Sequence, residues 1–262
     1  MALVLSLHGG GGNAYRHEET VRLAPKADAA GFLLVTPQGS GRRRDILTWN
    51  AGNCCGYARN AAVDDVGFVR ALIDAVSAEV CVDPKRVYAT GFSNGGLLSH
   101  RLGCGLSDRI AAIAPVGGGL GHLDLDRDPA AAVFECRPSR PVPVLHIHGL
   151  QDGCYPFEGG RGNGISSEKK LSIPRTMAVW RERNACQASP RVTYRKGEAE
   201  CRAYQGCRAD TELCTIGDGG HAWPGSAQRS SFGIRICGGG VVSRDLRAND
   251  VIWDFFAAHP MP

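Results

Sequence analysis

The chain has no run of about 18 consecutive apolar residues, so it is not expected to span a membrane. It has no large excess of one charge either: 30 Lys and Arg against 26 Asp and Glu leave a net +4. The densest basic cluster, Arg42-Arg43-Arg44, reads as a solvated loop rather than a nucleic-acid face. No two cysteines stand in the C-x-x-C spacing of a metal site. No glycine loop ends in the Gly-Lys-Ser/Thr of a phosphate-binding P-loop. Internal repeats and linkers are missing as well, so the 262 residues read as one domain. These absences argue against membrane, nucleic-acid, metal and nucleotide roles. They leave an ordinary globular chain, 43% hydrophobic and able to bury a large core.

Cysteine, in contrast, is plentiful. Eleven in a chain of this size point to several disulfides and an oxidising compartment. The odd count leaves at least one thiol unpaired or paired between molecules. Met1 to Leu7 is too short and uncharged for a secretory leader. The expectation is therefore an extracellular protein whose signal peptide is not part of this chain.

Apolar periodicity alternates between strand and helix. Strands are expected at Leu3–Leu7, Phe32–Pro37, Arg86–Thr90, Ile110–Pro115, Pro143–Ile147 and Leu213–Ile216, the last clear one. Helices are expected within Glu18–Ala30, disturbed at Pro25, and from Asp64 and Asp65 through Val76. Three more follow at Gly96–Leu102, at Ile173–Arg183 with Ser172 as N-cap, and at Asn249–Ala258. Gly39 to Asn60 is expected to be a long loop. The alternation implies an α/β fold with a mostly parallel sheet and helices on both faces. The glycine-rich stretches Glu158–Ser167 and Gly225–Gly240 are read as mobile loops around a cleft, or as plain surface loops.

Gly91-Phe92-Ser93-Asn94-Gly95 is a G-x-S-x-G pentapeptide between an expected strand and an expected helix, the context a nucleophile elbow requires. A serine hydroxyl needs a base within hydrogen-bond reach, and the base needs a carboxylate to orient it. In an elbow fold the chain order is serine, acid, histidine. His8 and His17 come too early, and His100 lies on the serine's own helix. His122 precedes any plausible acid, His146 and His148 flank a strand end, and His259 lies on the last helix. His221, on the glycine loop after the last strand, is the expected base. Asp152, on the loop after the preceding core strand, is the expected acid, with Asp218 as its competitor. The oxyanion donors are expected to be the Asn94 amide and the Gly10 amide of His8-Gly9-Gly10-Gly11-Gly12, with Gly11 as an alternative. Trp49 and Trp223 are candidates for a substrate-stacking wall or for core packing.

The sequence resembles the extracellular polyhydroxybutyrate depolymerase and feruloyl esterase-like α/β-hydrolases, which include bacterial acetylxylan and cinnamoyl esterases. The resemblance rests on Leu7-His8-Gly9, Trp49-Asn50-Ala51-Gly52-Asn53-Cys54-Cys55-Gly56 and Val63-Asp64-Asp65-Val66-Gly67-Phe68. It continues through Asp83 to Gly96 and Gly219-Gly220-His221-Ala222-Trp223-Pro224-Gly225. It implies an α/β-hydrolase fold, a secreted carboxylic-ester hydrolase without a cofactor, and Ser93, Asp152 and His221 as the triad. The implied substrate is an ester, possibly polymeric, acted on by a monomer. A silent carbohydrate-binding module and a peptidase on the same fold are the rival readings. Family members usually carry one or two strands before the His-Gly loop, which begins here at residue 8. The family pattern also suggests pairing Cys186 with Cys201 or Cys207. Topology places Cys54, Cys55, Cys154 and Cys237 at the carboxyl edge of the sheet and Cys81, Cys104 and Cys136 at the other. Bridges between the two sets are therefore excluded. Adjacent Cys54 and Cys55 are not expected to pair with each other.

Overall fold

The computed structural model describes residues 1–52, 54–121, 135–164, 168–187, 189–226 and 236–262. Ten strands are found among them: β1 (Leu3–Leu7), β2 (Leu33–Val35), β3 (Ser40–Arg43), β4 (Ile46–Thr48), β5 (Val87–Phe92), β6 (Ala112–Val116), β7 (Val144–Gly149), β8 (Pro190–Lys196), β9 (Ala199–Tyr204) and β10 (Thr211–Ile216). Eight form one sheet in the order β2-β1-β5-β6-β7-β10-β9-β8. The pairs from β2 to β10 are parallel, and β10–β9 and β9–β8 are antiparallel. β1 and β5–β7 are almost wholly buried, as expected of parallel strands covered on both faces.

Among the described residues there are seven helices: α1 (Ala14–Val21), α2 (Ala24–Ala30), α3 (Gly56–Asn60), α4 (Asp65–Glu79), α5 (Asn94–Gly105), α6 (Ile173–Arg183) and α7 (Ala248–Ala258). Side chains of α4, α5 and α6, such as Ile73, Leu98 and Trp180, join Leu3, Leu5 and Leu7 in one core. Side chains of α1, α2 and α7, such as Val21, Ala27 and Phe256, join Val4 and Tyr88 in the other. The period of two along β1 sends alternate residues to the two layers. Ser172 caps α6, its hydroxyl accepting from the Arg175 N–H, and Asp64 caps α4 through the Gly67 N–H.

Three sequence expectations are corrected. In place of one short helix within Glu18–Ala30 there are two, because Arg22 turns left-handed at φ 50° and Pro25 lies in the first turn of a new helix. The stretch from Gly39 to Asn60 is not a plain loop: it holds the β3–β4 hairpin and α3. The strand expected at Leu213–Ile216 begins at Thr211 and is the last among the described residues, and β8 and β9, for which no strand was expected, extend the sheet beside it.

The bridges obey the two-edge rule. Cys104 pairs with Cys136 and Cys154 with Cys237, while Cys186–Cys207 and Cys201–Cys214 cross-link the far side. Cys186–Cys207 is one of the two pairings suggested by the family pattern. Cys81 is the free thiol among the described residues. Cys54 and Cys55 do pair, against expectation: a cis peptide bond brings their Cα atoms to 3.0 Å. No helix of the described residues is long and apolar enough to cross a membrane.

Candidate active site

Ser93 sits where β5 turns into α5. Its φ of 55° and ψ of −116° are unfavourable for a residue with a Cβ, a strain typical of functional turns. The turn is over-determined by its surroundings. The Ser93 N–H donates to the Val116 carbonyl at 2.8 Å, and the Ser93 carbonyl accepts from Leu97 at 2.9 Å. A side chain at Gly91 would come within 2.6 Å of the Gly95 backbone, and one at Gly95 would strike the Leu7 carbonyl. The two glycines of the pentapeptide are therefore needed for close approach of strand and helix.

Asp152 and His221 arrive from the loops after β7 and β10. Ser93 Oγ lies 2.9 Å from His221 Nε2, and His221 Nδ1 lies 2.7 Å from Asp152 Oδ2. The Asp152 carboxylate is fully buried. Burial alone would raise its pKa, but His221, His148 and backbone donors reverse this and hold it below the usual carboxylate range. Oδ1 accepts from the Cys154 N–H at 2.9 Å and the Tyr155 N–H at 2.7 Å. Asp152 is therefore ionised, His221 Nδ1 carries the ring proton, and Nε2 is free to accept from Ser93. The imidazole leans on Phe92, with ring centroids 4.7 Å apart. The Gly220 N–H ties its loop to the Val241 carbonyl at 3.1 Å.

The glycine loop after β1 lies alongside. A Cβ added to Gly10 would sit 3.4 Å from Asn94 Cβ. The Gly11 N–H is already committed to the Leu47 carbonyl at 2.8 Å, which removes the alternative donor. Among the described residues the Gly10 N–H meets no acceptor. Asn94 opens α5, where the first amides are free of helical partners. Its side chain grips the Trp49 backbone: Oδ1 accepts from the Trp49 N–H at 2.7 Å, and Nδ2 donates to the Trp49 carbonyl at 3.0 Å. His8 Nε2 accepts from the Gly39 N–H at 3.0 Å, so its Nδ1–H donates to the Gly9 carbonyl at 2.9 Å.

Trp49 and Trp223 do not form a wall of the cleft. Both are buried: the Trp49 indole N–H donates to the His8 carbonyl, and that of Trp223 to Asn249 Oδ1. Each is a core residue that fixes backbone near the site. The competitor Asp218 makes no contact with the His221 ring among the described residues. His122 and parts of the stretches Glu158–Ser167 and Gly225–Gly240 lie outside the described residues. His148, set aside in the sequence as flanking a strand end, lies beside Asp152, a role that sequence reasoning did not assign to it. The available signal was the pair His146 and His148, which a strand must project to one face.

Residues 1–153 match the family model for esterase PHB depolymerase. The chain belongs to this esterase family. Feruloyl esterase B of Piromyces equi is 35% identical over 178 residues, which is 66% of this chain and 31% of that protein. NocK of Nocardia uniformis subsp. tsuyamanensis is 32% identical over 97% of this chain and 73% of its own length. The chain thus spans about a third of the Piromyces family member. The fold is that of solved α/β-hydrolase esterases. The acetyl xylan esterase from Aspergillus awamori superposes with a TM-score of 0.57 at 14% identity, covering 98% of this chain and 88% of that one.

The Cys154–Cys237 bridge ties the Asp152 loop to the segment beside the His221 loop. Closing a loop of sequence separation 83 restricts the unfolded chain strongly. Replacing both cysteines with alanine is expected to lower unfolding free energy by about 2–4 kcal/mol, measured by urea denaturation.

Proposed function

We propose that the protein is a secreted serine carboxylic-ester hydrolase. Its substrates are feruloyl or acetyl esters of plant polysaccharide, or a hydroxyalkanoate polyester. The observation that carries this reading is the unbroken line Ser93 Oγ–His221–Asp152, with contacts of 2.9 and 2.7 Å. The names of the fungal family members, a feruloyl esterase and an acetylxylan esterase/xylanase, support the polysaccharide esters. Five cross-links support an oxidising destination.

Ser93 Oγ attacks the ester carbonyl as its proton passes to His221 Nε2. The carbonyl π electrons move to oxygen, where the amides of Asn94 and Gly10 receive the negative charge. Asp152 stabilises the imidazolium. Collapse of the tetrahedral centre breaks the ester C–O bond, and His221 returns its proton to the leaving alcohol. Water then attacks the acyl-serine, losing its proton to the same nitrogen. Ser93 Oγ departs with that proton and the acid is released.

Rates on methyl ferulate, short p-nitrophenyl esters and polyhydroxybutyrate film test the reading and rank the substrates. An organophosphate is expected to label the wild type stoichiometrically and to leave Ser93→Ala unlabelled. Folded protein that turns over none of these esters would overturn the proposal.

A further inference from the structure

Behind Asp152 lies a row of buried imidazoles that acyl transfer does not consume. His146 and His148 alternate on β7, and His100 comes from α5. His100 Nε2 lies 3.2 Å from His146 Nδ1, and His146 Nε2 lies 3.2 Å from His148 Nδ1. His148 Nε2 lies 2.8 Å from the Tyr155 carbonyl. At the far end, Trp180 Nε1 lies 2.9 Å from His100 Nδ1. All three rings are buried.

Both ends of this row have a fixed polarity. An indole N–H only donates, and a carbonyl only accepts. His100 Nδ1 must therefore accept from Trp180, which puts the ring proton on Nε2. That proton is donated to His146 Nδ1, and the same logic repeats at His146 and His148. Every member is a neutral Nε2–H imidazole. Burial keeps them so, pushing His100 down to about 3, His146 well below its ordinary value, and His148 in the same direction.

The last ring closes a circuit around the acid. His148 donates to the Tyr155 carbonyl, and the Tyr155 N–H donates to Asp152 Oδ1 at 2.7 Å. The His148 N–H also approaches Asp152 Oδ2 at 3.5 Å, the oxygen that receives His221. With the row reversed, the His148 lone pair would face both the carbonyl and the carboxylate, three acceptors without a proton between them.

We propose that His148 is a positioning residue for Asp152, and that Trp180, through His100 and His146, holds it in the proton-donating Nε2–H form. This rests on Asp152 being the acid of the triad. His148 sets the carboxylate plane and keeps Oδ2 directed at His221, without bringing a second positive charge to compete for it.

The first test needs no activity. Long-range ¹H–¹⁵N correlation spectra of the intact wild-type protein are expected to show His100, His146 and His148 as neutral Nε2–H tautomers, unchanged from pH 5.5 to 8. An Nδ1–H tautomer, or titration of any of the three in that range, overturns the proposal. The second test is kinetic. His148→Leu is expected to lower kcat about tenfold to a hundredfold with KM within twofold of wild type, and His148→Gln, which restores an N–H near the same point, to recover most of the loss. Trp180→Phe should lower kcat in the same manner, and it decides the matter if the leucine variant does not fold. Equal kcat in folded wild type, His148→Leu and Trp180→Phe overturns the proposal. Failure of the triad itself looks different: Asp152→Ala would then retain wild-type kcat while the tautomer pattern stayed as described.

Discussion

Asp152→Asn is expected to fold normally and to lose about four orders of magnitude in kcat. The reason is the pair of backbone donors on Asp152 Oδ1. Cys154 and Tyr155 direct their N–H groups there, so the carboxamide oxygen of asparagine must take that place. Its NH2 group is then turned toward His221 Nδ1, which becomes an acceptor. The ring proton moves to Nε2 and faces Ser93, where a lone pair is required. The nucleophile stays at its 2.9 Å neighbour but cannot give up its proton. His221→Ala and the double variant Ser93→Ala/His221→Ala should each fall by a similar or larger amount, and not by the product of their separate effects, because the residues act as one unit. KM for a short p-nitrophenyl ester should change little. An Asp152→Asn enzyme within tenfold of wild-type kcat would sink this account of the acid.

A second large effect is expected on acidification: the stability of the folded state should fall steeply below about pH 6. His17 and His100 are held neutral with pKa values pushed down to about 3, and His146 lies well below its ordinary value, in each case mainly by burial. His8 and His148 are shifted the same way by burial. The unfolded chain protonates these rings near pH 6.5, whereas the folded chain does not. Below that pH the unfolded state therefore binds more protons, and stability falls with pH. The contribution is fully present above about 6.5 and is lost progressively as pH drops toward the folded-state values. Asp65 works in the opposite direction. Burial raises its pKa to about 6, so its ionisation costs stability as pH rises through the window from the unfolded carboxylate value to about 6. Acidification relieves that cost. One carboxyl against at least three imidazoles leaves a net uptake of two or more protons on unfolding. At about 1.4 kcal/mol per proton and pH unit, stability falls about 3 kcal/mol or more per unit, against a total of about 5–15 kcal/mol for an ordinary domain. Chemical denaturation at pH 7, 6, 5.5 and 5 measures the slope. His17→Gln, which removes one titrating ring, should flatten it by about one proton. A slope near zero between pH 6 and 5 would contradict the neutral assignment of the row.

The hydrogen-bonded line of Ser93, His221 and Asp152 was legible in sequence because it depends on chain order. A strand, a G-x-S-x-G turn and a helix fix Ser93, and the loops after two later strands leave few places for Asp152 and His221. The parallel half of the sheet was legible for a related reason: its strands are continuous apolar runs between helices. β8 was not, because Arg191, Val192, Thr193 and most of their neighbours are exposed, and an edge strand with two wet faces carries no apolar period. β9 follows it through a tight turn and shares that weak signal. The hairpin of β3 and β4 was missed because Gly41 and three arginines read as loop, while its pairing sets Ser40 against Thr48 and Arg43 against Ile46 through the backbone. Trp49 and Trp223 were ambiguous because an indole suits a core and a binding wall equally well. Only the fold reveals that each one's N–H is satisfied inside. The polarity of the histidine row was likewise invisible, since it is imposed by Trp180, which is remote from His148 in sequence.

The cross-link between Cys154 and Cys237 changes what a broken backbone means for this protein. A protease that cuts once anywhere between Tyr155 and Gly220 puts the acid on one fragment and the base on the other, yet the two fragments cannot drift apart. Nicked enzyme should run as a single band without thiol and as two bands with it, and should keep working until the reductant arrives.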